Sequence, residues 1–296
     1  MMSRRSLLSA AALSSLAAAC SPLAALNGLN RLTPGDGGVR QLVEGASFGS
    51  DARQRLDVYA PEQAAGPLPV IVFIYGGSWN SGLRDGYGFA ARALAARGFV
   101  VVVPDYRLVP QVRWPAFVAD GAAALNWTVA NIAAHGGDPA RIAVMGHSAG
   151  AHIALLLALH RQWGVADHIK AAVGLAGPYD FLPFLPGGAA DAALGNAADL
   201  RDTQPISFAR KDAPPLLLLH GDKDTTVLPR NSLRLANAVN DLGGQAQVTV
   251  YPGVTHIGIL LALSKPFRGK APVLADATAF LNRVLKAPAA AVPARR

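Results

Sequence analysis

Three features of the 296-residue sequence predict an α/β domain: a mostly parallel central sheet of about eight strands, with helices on both faces. Short β-branched apolar runs alternate with longer helical stretches along most of the chain. Several of these runs, such as Val70-Ile71-Val72-Phe73-Ile74-Tyr75, are apolar at every position, as strands covered on both faces must be. At residues 142–160 an apolar run stops at Gly146-His147-Ser148-Ala149-Gly150, turns sharply, and resumes as a long apolar helix. Hydrophobic residues make up 51% of the chain and charged residues 16%, enough for one large core and too little charge for a disordered chain.

Residues 1–19 read as an export signal. Arg4 and Arg5 precede an apolar stretch, residues 7–19, that is too short to span a bilayer. The stretch ends in Leu16-Ala17-Ala18-Ala19-Cys20, and Cys20 is the sole cysteine, so no internal disulfide can form. A small-residue run ending in cysteine resembles a bacterial lipoprotein signal, although its leucine stands one place early. The resemblance implies lipidation of Cys20 and anchoring to a membrane of the cell envelope. An ordinary signal peptide, with a periplasmic or secreted product, is the alternative. The paired arginines also resemble a twin-arginine signal. Residues 20–38 then form a tether rich in Gly and Pro, residues 39–287 the α/β domain, and residues 288–296 a tail. The net charge of +8 is scattered, without a basic stripe interleaved with aromatics, so nucleic acid is not an expected partner. The oligomeric state is left open.

Within the domain, residues 41–46 and 54–59 read as an antiparallel strand pair at the sheet edge. Residues 70–75 and 99–103 are strands separated by a helix at 89–97. A long helix over 115–134 has proline at its start. Gly136-Gly137-Asp138-Pro139 turns into the strand at 142–145, and a helix follows over 149–160. Strands at 171–175, 216–219 and 247–251 complete the count, with helices near 228–242 and 275–285. Residues 178–212, rich in Pro, Gly and apolar side chains, form an irregular excursion over the site rather than a large lid.

Gly-x-Ser-x-Gly at a strand-to-helix elbow exposes a serine hydroxyl, and the helix N-terminus points its free N–H groups at charge developing beside it. Ser148 meets that context. Ser47, in Gly45-Ala46-Ser47-Phe48-Gly49, does not, because no apolar helix follows. A serine hydroxyl needs a base to take its proton, and the base needs an acid to fix its tautomer. In the elbow arrangement these follow in the order serine, acid, histidine, each after a later strand. After 216–219 comes His220-Gly221-Asp222-Lys223-Asp224, offering two acids, and after 247–251 comes His256. His147, His152 and His220 read as packing or hydrogen-bonding residues. A metal site from His220, Asp222, Asp224 and His256 lacks any recognised ligand spacing, and neither metal nor cofactor is expected. Tyr75-Gly76-Gly77-Ser78-Trp79 follows the 70–74 strand, where the N–H groups of Gly77 and Ser78, with that of Ala149, can form an oxyanion hole.

Six motifs then carry a resemblance: Tyr75-Gly76-Gly77-Ser78-Trp79, Asp105-Tyr106-Arg107-Leu108, Gly136-Gly137-Asp138-Pro139, Gly146-His147-Ser148-Ala149-Gly150-Ala151-His152, His220-Gly221-x-x-Asp224-x-x-Val227 and Thr255-His256. Over residues 56–285 the chain resembles the serine-esterase branch of the α/β-hydrolases that holds carboxylesterases, feruloyl-esterase-like enzymes, kynurenine formamidases and isoprenylcysteine methylesterases. The resemblance implies the α/β-hydrolase fold and Ser148, Asp224 and His256 as catalytic residues, its spacing choosing Asp224 over Asp222. Tyr75 stands where many relatives have histidine. The expected function is hydrolysis of short- to medium-chain carboxylic esters through an acyl-enzyme on Ser148. The alternatives are an arylformamidase-type hydrolase and a non-catalytic surface lipoprotein. Phe181, Leu182, Phe184, Leu185, Ile257, Ile259 and Leu260 are expected to line the pocket.

Overall fold

A computed structural model describes residues 35–285; the predicted signal, Cys20, most of the tether and the tail lie outside the described residues. Eight strands form one sheet: β1 (Val39–Ser47), β2 (Arg55–Pro61), β3 (Leu68–Ile74), β4 (Val100–Pro104), β5 (Gly137–His147), β6 (Ile169–Leu175), β7 (Leu216–Gly221) and β8 (Ala246–Tyr251). Their order is β1-β2-β4-β3-β5-β6-β7-β8. β1 pairs with β2, and β2 with β4, antiparallel; every other pairing is parallel.

Helices α1 (Gly88–Ala95), α2 (Ala116–Asn131), α3 (Ala149–Leu159), α5 (Arg230–Asp241) and α7 (Val273–Val284) cover the faces, and two short ones, α4 (Ala189–Leu194) and α6 (His256–Leu261), sit at the strand ends. α1 packs on α7, and α2 on α3. All residues of α3 are buried, which its unbroken apolar sequence requires, since a helix apolar all round has no face to give to water. α5 instead buries Asn231, Ser232, Leu235, Ala236 and Val239 at helical spacing and, apart from the half-buried Ala238, exposes the rest.

This order places the site. The chain crosses from β3 to β4 on one side and then to β5 on the other, so the loops after β3 and β5 diverge at a topological switch point. A crevice opens there at the carboxyl ends of the strands.

The structure departs from the sequence reading in three places. β5 begins at Gly137 because the Gly-Gly-Asp-Pro turn is itself extended, and a register shift between Leu68 and Val70 absorbs it. The excursion at 178–212 contains α4, an alanine-rich turn of helix hidden between glycines. His256 does not sit on a loop but opens α6, whose cap is Thr255 Oγ1 accepting from Gly258 N at 3.1 Å.

Candidate active site

Ser148 stands between β5 and α3 with φ 55° and ψ −124°, a strained backbone for a residue with a side chain. Its N–H donates to Leu175 O of β6 at 2.9 Å, and its carbonyl accepts from His152 N at 3.1 Å, so both sides of the elbow are held. The flanking glycines are steric necessities. A Cβ on Gly146 would lie 2.4 Å from Gly150 O, and one on Gly150 would lie 2.1 Å from Ile74 O. Ser47, in contrast, ends β1 at the surface, its Oγ donating to Gly49 O at 2.6 Å.

His256 Nε2 lies 2.9 Å from Ser148 Oγ, and His256 Nδ1 lies 2.7 Å from Asp224 Oδ2. Asp224 Oδ1 accepts from the N–H groups of Thr226 and Val227 at 2.9 and 2.8 Å. His220 Nε2, which donates to Val227 O at 2.8 Å, approaches Asp224 Oδ2 at 3.2 Å. Burial alone pushes the Asp224 carboxyl up, but the hydrogen bonds from His220, His256 and Val227 outweigh it and hold the group well below the usual carboxylate range. Asp224 is therefore an anion that cannot rotate, and it presents one oxygen to His256 Nδ1–H. Asp222 points elsewhere: its Oδ1 accepts from Gly253 N at 2.7 Å and ties the loop after β7 to the loop after β8. His220 is buried and hydrogen-bonded to Ser232 of α5 as its packing reading implied, but its contact with Asp224 carried no sequence signal.

His147 packs beneath this pair, its ring 4.9 Å from that of His256, with Nε2–H donating to His256 O at 3.0 Å. Burial, with the nearby His256 ring, lowers its pKa to about 3. It stays neutral, and so adds no positive charge beside an imidazole that must itself take up a proton.

The loop after β3 closes over the serine. A Cβ on Gly76 would meet His147 O at 2.9 Å and Ser148 Cβ at 3.0 Å. Beyond it Gly77, Ser78 and Trp79 all have positive φ, at 134°, 50° and 59°. In that conformation the N–H groups of Gly77 and Ser78 make no hydrogen bond within the loop, and neither they nor Ala149 N–H find a partner among the described residues. Three preorganised donors beside a nucleophile can stabilise a developing oxyanion.

Several polar residues brace the loop. Tyr75, fully buried between the rings of Tyr87 and Tyr106, donates its hydroxyl to Asp105 Oδ1 at 2.7 Å. Asp105 also accepts from Arg84 N and Nη1 at 2.8 and 2.5 Å, and Tyr106 donates to Tyr75 O at 3.1 Å. Trp79 Nε1 donates to His152 Nδ1 at 3.3 Å, and His152 Nε2–H donates to Thr203 O at 2.7 Å. That chain links loop, helix α3 and the 178–212 excursion. Burial lowers the His152 pKa to about 4 and leaves Nδ1 free to accept.

A cavity with two lobes meets at Ser148. One lobe, of about 300 Å³, is lined by Gly76, Tyr87, His147, His256 and Ile257 among others. The second, of about 410 Å³, lies between Trp79, Phe181, Ala190, Leu228 and Arg230. Of the expected lining residues, Phe181 and Ile257 face these lobes. Ile259 and Leu260 do not, because α6 turns them into the core. Leu185 is 78% exposed, and Leu182 and Phe184 line neither lobe.

The family model BD-FAE matches residues 56–239. The chain is 31% identical over 264 residues to isoprenylcysteine alpha-carbonyl methylesterase ICME of Arabidopsis thaliana, covering 80% of this chain and 61% of that protein. It is 34% identical over 203 residues to Esterase LipC of Mycobacterium tuberculosis, covering 61% of this chain and 50% of that one. The chain thus spans only about half to three fifths of the length of these curated relatives. Among solved structures, esterase B from Lactobacillus rhamnosis superposes with a TM-score of 0.78 at 20% identity, covering 93% of this chain and 96% of that one, a likeness of fold.

Proposed function

Because the chain belongs to the BD-FAE family of α/β-hydrolases, we propose that it is a serine carboxylesterase that cleaves short- to medium-chain carboxylic esters. The observation that carries this reading is the hydrogen-bonded series Ser148 Oγ, His256 Nε2, His256 Nδ1, Asp224 Oδ2, at 2.9 and 2.7 Å, beside three N–H groups with no partner among the described residues. Ser148 Oγ attacks the ester carbonyl carbon as its proton passes to His256 Nε2. The N–H groups of Gly77, Ser78 and Ala149 take the charge on the carbonyl oxygen. The intermediate collapses, the bond to the alcohol oxygen breaks, and His256 returns the proton to that oxygen. Water then repeats the sequence on the acyl-enzyme, releasing the acid and restoring Ser148. Asp224 keeps Nδ1 protonated and stabilises the imidazolium in each half. The named esterase activities of the relatives favour the same bond.

The test is a series of 4-nitrophenyl esters from acetyl to dodecanoyl, run beside a formyl-anilide, with Ser148→Ala as the blank. A maximum at short or medium chains that disappears in Ser148→Ala supports the proposal. Preference for the anilide, or hydrolysis that survives Ser148→Ala, overturns it. For the envelope, the proposal is export and lipid anchoring through Cys20, resting on residues 1–20 alone.

A further inference from the structure

The two lobes are chemically unequal. In the reaction above the departing alcohol oxygen must receive its proton from His256 Nε2, so the alcohol leaves on the side that His256 lines. Only the smaller lobe includes His256. The larger lobe, which reaches Ser148 and Ala149 without His256, therefore faces the acyl side. Its walls include the apolar Trp79, Phe181 and Leu228, and among the described residues Arg230 is the only one lining either lobe that carries a permanent charge.

Arg230 has no acidic partner among the described residues, whereas Arg234, one helical turn further along α5, is taken by Asp180 at 2.8 Å. A chain with net charge +8 must leave some cations unpaired at its surface; what separates Arg230 from those is its place in the wall of the substrate cavity. The backbone around it is well held. Asn231 Oδ1 accepts from the N–H groups of Tyr179 and Asp180 at 2.9 Å each, and its Nδ2 donates to Leu228 O at 3.1 Å. Arg230 is exposed at the mouth of the lobe, on a fixed helix start beside the apolar Trp79 and Phe181, and a guanidinium there suits a carboxylate, which it can grip with two parallel hydrogen bonds.

We propose that the larger lobe receives the acyl part of the substrate and that Arg230 selects acyl groups bearing a carboxylate, making monoesters of dicarboxylic acids the preferred class. The inference rests on the esterase reading above. Arg230 takes no part in bond making or breaking; it is a specificity residue.

The experiment compares kcat/KM for monoethyl adipate with that for ethyl heptanoate, in wild type, Arg230→Gln, Arg230→Lys and Arg230→Glu. Each variant is first checked for an unaltered circular dichroism spectrum. A second pair, the butanoyl ester of glycolic acid against ethyl butanoate, puts the carboxylate on the alcohol side. The expected result is a fall in the adipate-to-heptanoate ratio of roughly fivefold to tenfold in Arg230→Gln. The fall should be larger in Arg230→Glu and smaller in Arg230→Lys, and added salt should erode the wild-type ratio. The glycolate pair should not respond to these substitutions. A ratio that stays level in folded Arg230→Gln overturns the inference while leaving the esterase intact, and so does a response confined to the glycolate pair. If wild type cleaves none of the esters, the esterase reading falls and takes the inference with it.

Discussion

Asp222 and Asp224 are two positions apart in one loop, yet their surroundings differ completely. Asp224 is buried and gives one oxygen to His256; Asp222 is exposed and clamps a turn through Gly253 N. Asp224→Asn should therefore lower kcat by on the order of 10⁴, by destroying the tautomer and orientation of His256, while Asp222→Asn should alter it little. Steady-state kinetics on one short ester decides between them; a larger loss at Asp222 would reverse the assignment. His152 supplies a pH test. Its folded pKa, about 4, lies below the ordinary 6.5, so protonation favours the unfolded chain. Its contribution to stability is complete above pH 6.5 and is lost progressively as the pH falls towards 4. His147, at about 3, acts in the same direction. Between pH 6.5 and about 5, where exposed carboxylates remain ionised, the melting temperature should already decline. In His152→Gln, which keeps a donor and an acceptor, that decline should be shallower. Equal slopes would mean that His152 does not titrate on unfolding. Local spacing made the serine, the two acids and the histidine legible; the bond from Trp79 to His152 was not, since it joins residues 73 positions apart.

At the scale of elements, the elbow depends on how closely α3 approaches β3. Gly150 is the point of contact: any Cβ there collides with the carbonyls of Ile74 and Tyr75, at 2.1 and 2.3 Å. Backbone cannot yield as a flexible side chain can. Gly150→Ala should destabilise the protein by about 1–3 kcal/mol or more and displace Ser148 from the N–H groups of Gly77 and Ser78. Gly66→Ala, whose added Cβ meets nothing within 4 Å, is the matched control. Thermal melting together with ester turnover reads both effects, and a Gly150→Ala protein as stable and as active as the control would refute the steric account. All eight strands were legible, β3 and β4 as unbroken β-branched apolar runs, β7 as a run of leucines, and β1, β2 and β8 as short alternating segments between turns. α4 and α6 were not. Each is six residues long, too short for a periodic pattern, and stands where flanking glycines or a preceding turn dominate the local signal.

For the whole molecule, the described residues form an α/β-hydrolase domain, and no helix among them is long and apolar enough to cross a membrane. Residues 1–20 bear on membrane attachment separately from it. If Cys20 is lipidated, the full chain should sediment with bacterial membranes and gain the mass of the lipid, and Cys20→Ser should do neither while keeping its esterase activity. Identical partitioning of the two forms, with no added mass, would remove the anchor and leave the site untouched. The sequence by itself determined the fold class, the elbow at Ser148 and the chain order of serine, acid and histidine. These are written in short windows, as apolar periodicity, glycines at fixed offsets and residues just past strand ends. Only the tertiary structure decided how those windows meet. Parallel pairing brings the loops after β3, β5, β7 and β8 to the carboxyl end of the sheet, burial strips water from Asp224, and the turn of α6 sends Ile259 and Leu260 into the core while Ile257 faces the cavity. The reason is physical: a hydrogen bond or a collision acts across a few ångströms of space, and residues such as Ser148 and His256, 108 positions apart along the chain, become neighbours only when the whole sheet has assembled.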